Sequence, residues 1–110
     1  MGHHTPVGEF EQLVLLAILQ IGDGAYGVPI RREIEKRTGR DVSRGAVYTT
    51  LDRLESKGLL GSRLGDPSPE RSGKAKRFYR VERAGIRALK ESGTALRSMW
   101  AGLEAVLGKL

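Results

Sequence analysis

The sequence of 110 residues contains no cysteine, which excludes disulfide frameworks, thiolate metal sites and cysteine nucleophiles. Such a chain suits a reducing compartment, and we predict a cytoplasmic protein. The two histidines, His3 and His4, adjoin one another near the N-terminus without an acidic partner at metal-ligand spacing. A loose or tag-derived end explains them better than a metal or general-base role, so we predict no metal and no cofactor.

Long apolar runs and catalytic motifs are missing as well. The longest apolar run, residues 13–19, is far shorter than the roughly 20 residues that a membrane-spanning helix needs, and no signal-peptide pattern precedes it. Paired carboxylates, histidine-based dyads and phosphate-cradling glycine motifs are all lacking, which predicts that the protein is not an enzyme. A chain this short buries only about 60–70% of its unfolded surface, which favours a homo-oligomer.

What the sequence does have is an uneven excess of positive charge. The net charge is +6, with 19 Lys and Arg against 13 Asp and Glu, and the middle of the chain carries most of it. Residues 43–83 have a net charge of +5, whereas residues 1–42 have −1 and residues 84–110 have +2. A local basic excess favours a polyanionic partner, although a solvated surface with a high isoelectric point is the simpler alternative.

Hydrophobic periodicity predicts three helices in the first half of the chain. Residues 9–21 are apolar at most positions, so this helix must be covered on several sides. A second amphipathic helix is expected over about residues 28–38, ended by Gly39 in a left-handed conformation. Ser43 is placed to cap a third helix, whose apolar stripe is Val47, Leu51 and Leu54 and whose other faces are small, polar or basic.

Two short strands, over residues 59–64 and 76–81, are predicted on either side of a Gly- and Pro-rich hairpin tip. Three helices followed by a basic two-stranded hairpin predict a winged helix-turn-helix, a mainly α (α+β) fold with a two-stranded β-wing. We assign residues 1–8 to a flexible N-terminus, residues 9–82 to the winged-helix domain and residues 83–110 to a long C-terminal dimerisation helix.

Heptad spacing supports that last assignment, because apolar residues recur every seven positions in two registers from Ile86 to Leu110. A helix over 83–110 would be about 40 Å long and would have few neighbours inside so small a domain. Its apolar seam therefore faces a second subunit or, less simply, folds back onto its own domain. The predicted dimer interface comprises Leu89, Leu96, Trp100, Leu103 and Leu107.

Trp100, the only tryptophan, follows Gly93 by one heptad on this seam. The missing side chain of Gly93 would leave volume beside a large planar ring, as in a pocket for a flat hydrophobic ligand. Simple packing of Trp100 against its dimer mate is the alternative. The candidate ligand-binding residues are Phe10, Val14, Trp100 and Leu103.

Three segments closely resemble the PadR family of bacterial transcriptional regulators, in its short form with a single C-terminal dimerisation helix. They are Ala25-Tyr26-Gly27-Val28-Pro29-Ile30, the stretch from Ser43 to Leu59 with the sequence SRGAVYTTLDRLESKGL, and Gly73 to Val81 with the sequence GKAKRFYRV followed by Ala84-Gly85. The chain departs from the family pattern at Glu82, where threonine is usual, and at Thr49, where proline or arginine is frequent.

The resemblance implies a homodimeric winged-helix repressor whose third helix enters the major groove and whose wing touches the DNA. It also implies an effector, because short members of the family include multidrug-sensing repressors that bind flat aromatic compounds between subunits near a tryptophan. We therefore expect double-stranded DNA with an inverted-repeat operator, a second copy of the chain and a small hydrophobic aromatic effector as partners, and no membrane. The alternative is a winged-helix protein-interaction module without sequence-specific DNA binding.

The candidate DNA-binding residues form two groups. In the third helix, Ser43 would cap, amides near Gly45 would meet a phosphate, and Arg53 would clamp one. Tyr48 would contact the backbone or a base edge, although it also borders the apolar stripe. The recognition-helix group is Ser43, Arg44, Gly45, Tyr48, Thr49 and Arg53, and the wing group, for which a merely solvated hairpin is the alternative, is Arg71, Lys74 and Lys76.

Overall fold

A computed structural model of the protein describes residues 6–67 and 75–108. Five helices and two strands follow one another in these ranges. In chain order they are α1 (Glu9–Ile21), α2 (Gly27–Thr38), α3 (Arg44–Ser56), β1 (Leu60–Pro67), β2 (Ala75–Val81), α4 (Arg83–Trp100) and α5 (Glu104–Leu107). The arrangement is the winged helix-turn-helix that the sequence predicts, mainly helical with one two-stranded antiparallel sheet.

Helix α1 has the predicted bounds and forms the centre of the core. The Glu11 carboxylate accepts a hydrogen bond of 2.9 Å from the Gly8 N–H and so satisfies a free donor at the helix start. Val14, Leu15 and Ile18 are buried on the face toward the other helices. The opposite side of α1 leaves Leu16 and Leu19 almost half exposed, so the single chain does not cover this helix completely.

Helices α2 and α3 form the helix-turn-helix. Gly39 ends α2 with φ of +72°, a left-handed conformation that costs glycine little and other residues more. The Val42 N–H then donates to the Glu35 carboxylate at 3.0 Å, which fixes the turn. Ser43 caps α3 as predicted, because its Oγ accepts a hydrogen bond of 3.1 Å from the Ala46 N–H.

The sheet packs one face on the core. The antiparallel register pairs Leu60 with Val81 and Ser62 with Tyr79, and these residues share the inner face because side chains alternate along a strand. Leu60 and Tyr79 are accordingly buried. The Tyr79 N–H also donates at 2.8 Å to the carbonyl of Ala25, which ties the wing to the turn between α1 and α2.

The C-terminal region differs from the single long helix that we predicted over 83–110. Helix α4 ends at Trp100, and Ala101 leaves the helical conformation with ψ of 131°. Gly102 follows with φ of +83°, and the short α5 starts two residues later. The heptad pattern of the sequence continues through this break. It could not predict the break, because the spacing of apolar residues does not indicate a local change of backbone direction.

No helix among residues 6–67 and 75–108 is both long and apolar enough to span a membrane.

Candidate nucleic-acid interface

Helix α3 has one buried and one exposed face. The buried face holds Val47, Leu51 and Leu54 of the predicted stripe, and also Thr50, a polar residue that the predicted apolar stripe does not include. Thr50 lies three residues after Val47 and four before Leu54, so helical geometry puts it among them. The exposed face carries Arg44, Gly45, Tyr48, Thr49, Asp52, Arg53 and Ser56.

The start of α3 is open to a ligand. Gly45 has free space where a side chain would be, so another molecule can approach the backbone there closely. Arg44 beside it is exposed. The Ser43 hydroxyl, by contrast, is engaged with the Ala46 N–H, and its role in the structure is that of a helix cap. An open helix start with an exposed arginine suits a phosphate group.

Tyr48 fixes how closely α2 and α3 approach each other. The side chain is 42% exposed, and its ring lies against Gly27 at the start of α2. A Cβ atom on Gly27 would lie 2.5 Å from the Tyr48 hydroxyl oxygen, so any larger residue there would displace the Tyr48 ring. Tyr48 therefore packs with its ring on α2 and stays partly open to solvent at the edge of the exposed surface, and its contact with DNA stays a prediction.

A partly buried ion pair holds the far end of α3. Lys57 Nζ lies 2.9 Å from Glu11 Oε2 on α1, and the Glu11 side chain is only 9% exposed. Burial raises the pKa of Glu11, but the hydrogen bonds from Gly8 and Lys57 and the charges of Lys57 and Arg53 together hold it below the ordinary value. Arg53 itself is exposed, so its guanidinium is accessible at the surface.

Of the three basic residues predicted on the wing, Lys76 lies within the described residues. Arg71 and Lys74 lie outside them. Lys76 is half-buried near the start of β2, at the end of the strand that follows the hairpin tip. Its Nζ lies 4.4 Å from the centroid of the Tyr26 ring and 3.4 Å from the Tyr26 hydroxyl oxygen. Lys76 thus packs on the body of the domain and is less free than a solvated hairpin residue.

Two further arginines on the wing were missed by the sequence analysis as site residues. The Arg63 guanidinium lies 4.7 Å from the centroid of the Phe78 ring, on the outer face of the sheet. Arg77 is on the inner face with Tyr79, and its Nη1 donates to Ser62 Oγ at 3.0 Å. The alternation of side chains along a strand predicts that these two arginines lie on opposite faces of the sheet. Which face lies next to α3 is seen only in the folded chain.

The inner face of the wing, which carries Ser62 and Tyr79, lies against α3, because Ser62 Oγ donates to the Glu55 carboxylate on that helix. Burial raises the pKa of the Tyr79 phenol, and the carboxylates of Asp52 and Glu55 on α3 raise it further. The positive charge of Arg77 acts in the opposite direction. Charged groups of both α3 and the wing therefore act on the phenol of the buried Tyr79.

The predicted dimer residues lie along α4 and beyond its end. Leu89 and Trp100 are half-buried, whereas Leu96, Leu103 and Leu107 are about half exposed in the single chain. Met99 and Val106 are also strongly exposed. The second half of α4 and the following α5 thus present apolar side chains that the domain itself does not cover.

The predicted ligand residues are not brought together around a pocket within one chain. Val14 is fully buried in the domain core and offers no surface to a ligand, which corrects its assignment. Three surface pockets, of about 570, 340 and 170 Å³, lie respectively between residues 6–7 and α4, between the end of α1 and β2, and between α1 and α2. None of these three is lined by Phe10, Trp100 or Leu103, and the side-chain atoms nearest to Gly93 belong to Arg97.

Metal-binding side chains do not gather in groups of three or more anywhere in the two described ranges.

Comparison with known proteins decides the family. The model of the transcriptional regulator PadR-like family matches residues 15–91, which include α2, α3, the wing and half of α4. This chain belongs to the PadR-like family. The family and its matched relatives are transcriptional regulators and not enzymes.

Individual relatives agree with this assignment. The chain is 41% identical over 76 residues to the transcriptional regulator Rv3488 of Mycobacterium tuberculosis, a match that covers 67% of this chain and 64% of that protein. A PadR family transcriptional regulator from Eggerthella lenta is 26% identical with a TM-score of 0.69, covering 93% of this chain and 88% of the other.

The fold is also shared beyond close relatives. F93 from STIV, a winged-helix DNA-binding protein, is 18% identical with a TM-score of 0.67 over 89% of this chain and 98% of its own. At this identity the likeness concerns the winged-helix fold alone.

Proposed function

We propose that this PadR-like protein regulates transcription in the cytoplasm by binding double-stranded DNA, with α3 in the major groove and the wing beside it. The exposed face of α3 carries this proposal. It combines basic and small polar side chains and one carboxylate, Asp52, with an open backbone at Gly45, and its one large apolar group is the Tyr48 ring. Such a surface can enter a groove without steric conflict and can pair with phosphates at its edges.

A homodimer is the second part of the proposal. Leu96, Met99 and Leu103 stay exposed at the end of α4 and beyond it, and Leu16 and Leu19 stay exposed on α1. Burying such side chains against a second copy contributes about 25 cal/mol per Å². Two recognition helices related by two-fold symmetry contact half-sites about 34 Å apart, so the operator is an inverted repeat.

Repression with release by an effector is the third part. Trp100 is half-buried at the end of α4, beside the break at Ala101, and joins the apolar surface that a second subunit would cover. A flat aromatic compound held between subunits near Trp100 would release DNA if it binds more tightly to a dimer whose domains are spaced differently.

Replacement of Arg53 by Ala tests the DNA-binding role. Arg53 is exposed on the α3 face, and loss of a phosphate contact weakens binding to operator and unrelated DNA alike, by about 3- to 20-fold. Fluorescence anisotropy with two labelled duplexes measures both affinities. Arg87→Ala on the exposed side of α4 is the matched control and is expected to bind as the wild type does. A loss confined to one sequence contradicts the phosphate role.

Fluorescence of Trp100 tests the effector. As the only tryptophan, it reports binding at the subunit interface directly. Planar aromatic compounds are expected to quench its emission in a saturable way and to lower the affinity for DNA in parallel. Absence of quenching at saturating concentrations contradicts this part of the proposal and leaves the DNA-binding part untouched.

A further inference from the structure

Between the wing and the end of α3, three side chains form a continuous chain of hydrogen bonds. Arg77 Nη1 on β2 donates to Ser62 Oγ on β1 at 3.0 Å. Ser62 Oγ in turn donates to Glu55 Oε2 on α3 at 2.5 Å. Sheet and recognition helix are thus joined by a chain of polar contacts that starts at a cation.

The direction of this chain is fixed by chemistry. A guanidinium can only donate and an ionised carboxylate can only accept, so the Ser62 hydroxyl must accept from Arg77 and donate to Glu55. Both bonds involve a charged group and are stronger than neutral ones. The hydroxyl therefore holds Arg77 in one orientation without neutralising it.

Arg77 keeps its charge available for another partner. Its side chain is exposed, and no carboxylate within the described part of the chain forms an ion pair with it. The negative group on α3 nearest to it in this chain of contacts is Glu55, which Ser62 separates from it, and Asp52, one helical turn earlier, acts on the neighbouring Tyr79. Only one of the guanidinium nitrogens bonds to Ser62, so the rest of the fork can bind an oxyanion.

The position of Arg77 relative to α3 indicates what that oxyanion is. Tyr48, Asp52 and Glu55 follow one another at spacings of four and three residues, so they lie in one row at the wing side of the exposed α3 face. Arg77 shares the inner face of the sheet with Tyr79, which the charges of Asp52 and Glu55 reach. It therefore borders the same surface that would enter the major groove.

We propose that Arg77 binds a DNA backbone phosphate in the crevice between α3 and the wing, and that Ser62 and Glu55 are positioning residues that aim it. This inference rests on the proposed DNA-binding function. It assigns the wing contact next to α3 to Arg77, whereas Lys76 is held against Tyr26 at the opposite face of the strand.

Arg80 is a matched control within the same strand. It lies three residues from Arg77, which places it on the outer face of the sheet, and its Nη2 lies 3.0 Å from Glu82 Oε1. Arg77→Ala and Arg80→Ala remove the same side chain and the same charge. The two variants differ in the side of the wing from which the charge is removed.

The experiment measures binding of a labelled duplex of mixed sequence and about 30 base pairs by anisotropy, from about 50 to 200 mM salt. A phosphate contact does not depend on sequence, so this probe tests Arg77 without a known operator. We expect Arg77→Ala to bind about 5- to 20-fold more weakly and the slope of log affinity against log salt to fall by about 1. Arg80→Ala should stay within about 2-fold with an unchanged slope.

The positioning role has its own signature. Ser62→Ala removes the hydroxyl that positions Arg77 and should lower the affinity for DNA about 3-fold. Because the variant keeps every charge, its salt slope should equal that of the wild type. Ser62→Thr keeps a hydroxyl and should restore the affinity. In the Arg77→Ala background, Ser62→Ala should add nothing further. Arg77→Lys should keep the slope but lose affinity, because an ammonium lacks the planar fork.

Several outcomes overturn the inference. Equal effects of Arg77→Ala and Arg80→Ala, or an unchanged salt slope in Arg77→Ala, show that Arg77 makes no phosphate contact. Full additivity of Ser62→Ala with Arg77→Ala shows that Ser62 does not act through Arg77. If the wild type binds this duplex and Arg77→Ala equals it, the inference alone fails. If the wild type does not bind it at low salt, the proposed function fails as well.

Discussion

At the scale of single residues, Glu11 joins the start of α1 to the end of α3. It accepts hydrogen bonds from the Gly8 N–H and from Lys57 Nζ, both at 2.9 Å. The charged carboxylate is therefore favoured in the folded state, and its pKa lies below the ordinary value. A group with a lowered pKa stabilises the fold above its unfolded pKa, and this stabilisation is lost as the pH falls through the folded pKa.

Glu11→Gln is accordingly expected to lower the free energy of unfolding by about 1–2 kcal/mol at pH 7, because it removes two charge-assisted bonds. The difference from the wild type should shrink as the pH falls through the lowered pKa of Glu11 in the folded state and the wild-type carboxyl becomes protonated. Urea unfolding at several pH values measures it. Glu9→Gln is the control, since Glu9 is 72% exposed and its ion pair with Arg40 contributes little. A constant Glu11→Gln penalty down to pH 2 contradicts the account.

Two glycines in the first turns of α2 and α3 should respond oppositely to alanine. Gly27→Ala places a methyl group against the Tyr48 ring and is expected to cost about 1–3 kcal/mol of stability. Gly45→Ala meets open space and is expected to stabilise the isolated fold by up to about 1 kcal/mol. Thermal unfolding compares the stability of the two variants.

Gly45→Ala should nevertheless weaken DNA binding, because the methyl group occupies the surface that meets the duplex. Unchanged binding would show that DNA does not approach Gly45.

At the scale of elements, most of the helix-turn-helix could be predicted from the sequence. The bounds of α1, the left-handed Gly39 and the Ser43 cap follow from local patterns, and the structure confirms all three. The end of α4 could not be predicted, because the apolar repeat runs on past Ala101. The place of Arg77 beside α3 could not be predicted either. Alternation along β2 assigns residues to the two faces of the strand, but it does not tell which face contacts α3. That assignment depends on tertiary packing.

The cap of α3 gives a prediction that separates stability from binding. Ser43→Ala removes the acceptor for the Ala46 N–H and should cost about 1 kcal/mol. Ser43→Asp keeps an N-cap acceptor and should retain most of the stability, but it adds a negative charge where a DNA phosphate is expected. Its DNA affinity should fall by at least about 10-fold while its unfolding midpoint stays near the wild type. Wild-type affinity in Ser43→Asp would place the DNA elsewhere.

At the scale of the whole molecule, the basic residues and the exposed apolar residues lie in different regions of the chain. Residues 43–83 carry a net charge of +5 and include α3 and the wing, whereas the end of α4 and the segment after it present exposed apolar side chains. One part thus favours a polyanion and the other a second copy of the chain. Specific recognition of an inverted repeat requires both, because one recognition helix contacts only one half-site.

Leu96→Glu should therefore yield a monomer. Leu96 is 53% exposed in the single chain, so the change costs the fold of one subunit little but places a charge in the subunit interface. Arg87→Glu is the control, because nine residues along a helix place it on the opposite side of α4. Light scattering is expected to show the mass of one chain for Leu96→Glu and two for Arg87→Glu. A dimeric Leu96→Glu contradicts the interface.

Two copies of α3 are proposed to recognise an inverted repeat in DNA. The most direct measurement is selection of bound duplexes from a random-sequence library by the wild-type protein, followed by sequencing of the enriched pool. We expect a motif with two inverted half-sites whose centres are separated by about 10 base pairs, or a multiple of this, and we expect this motif to be lost from the pool selected by Leu96→Glu. Retention of duplexes without any common motif would contradict it.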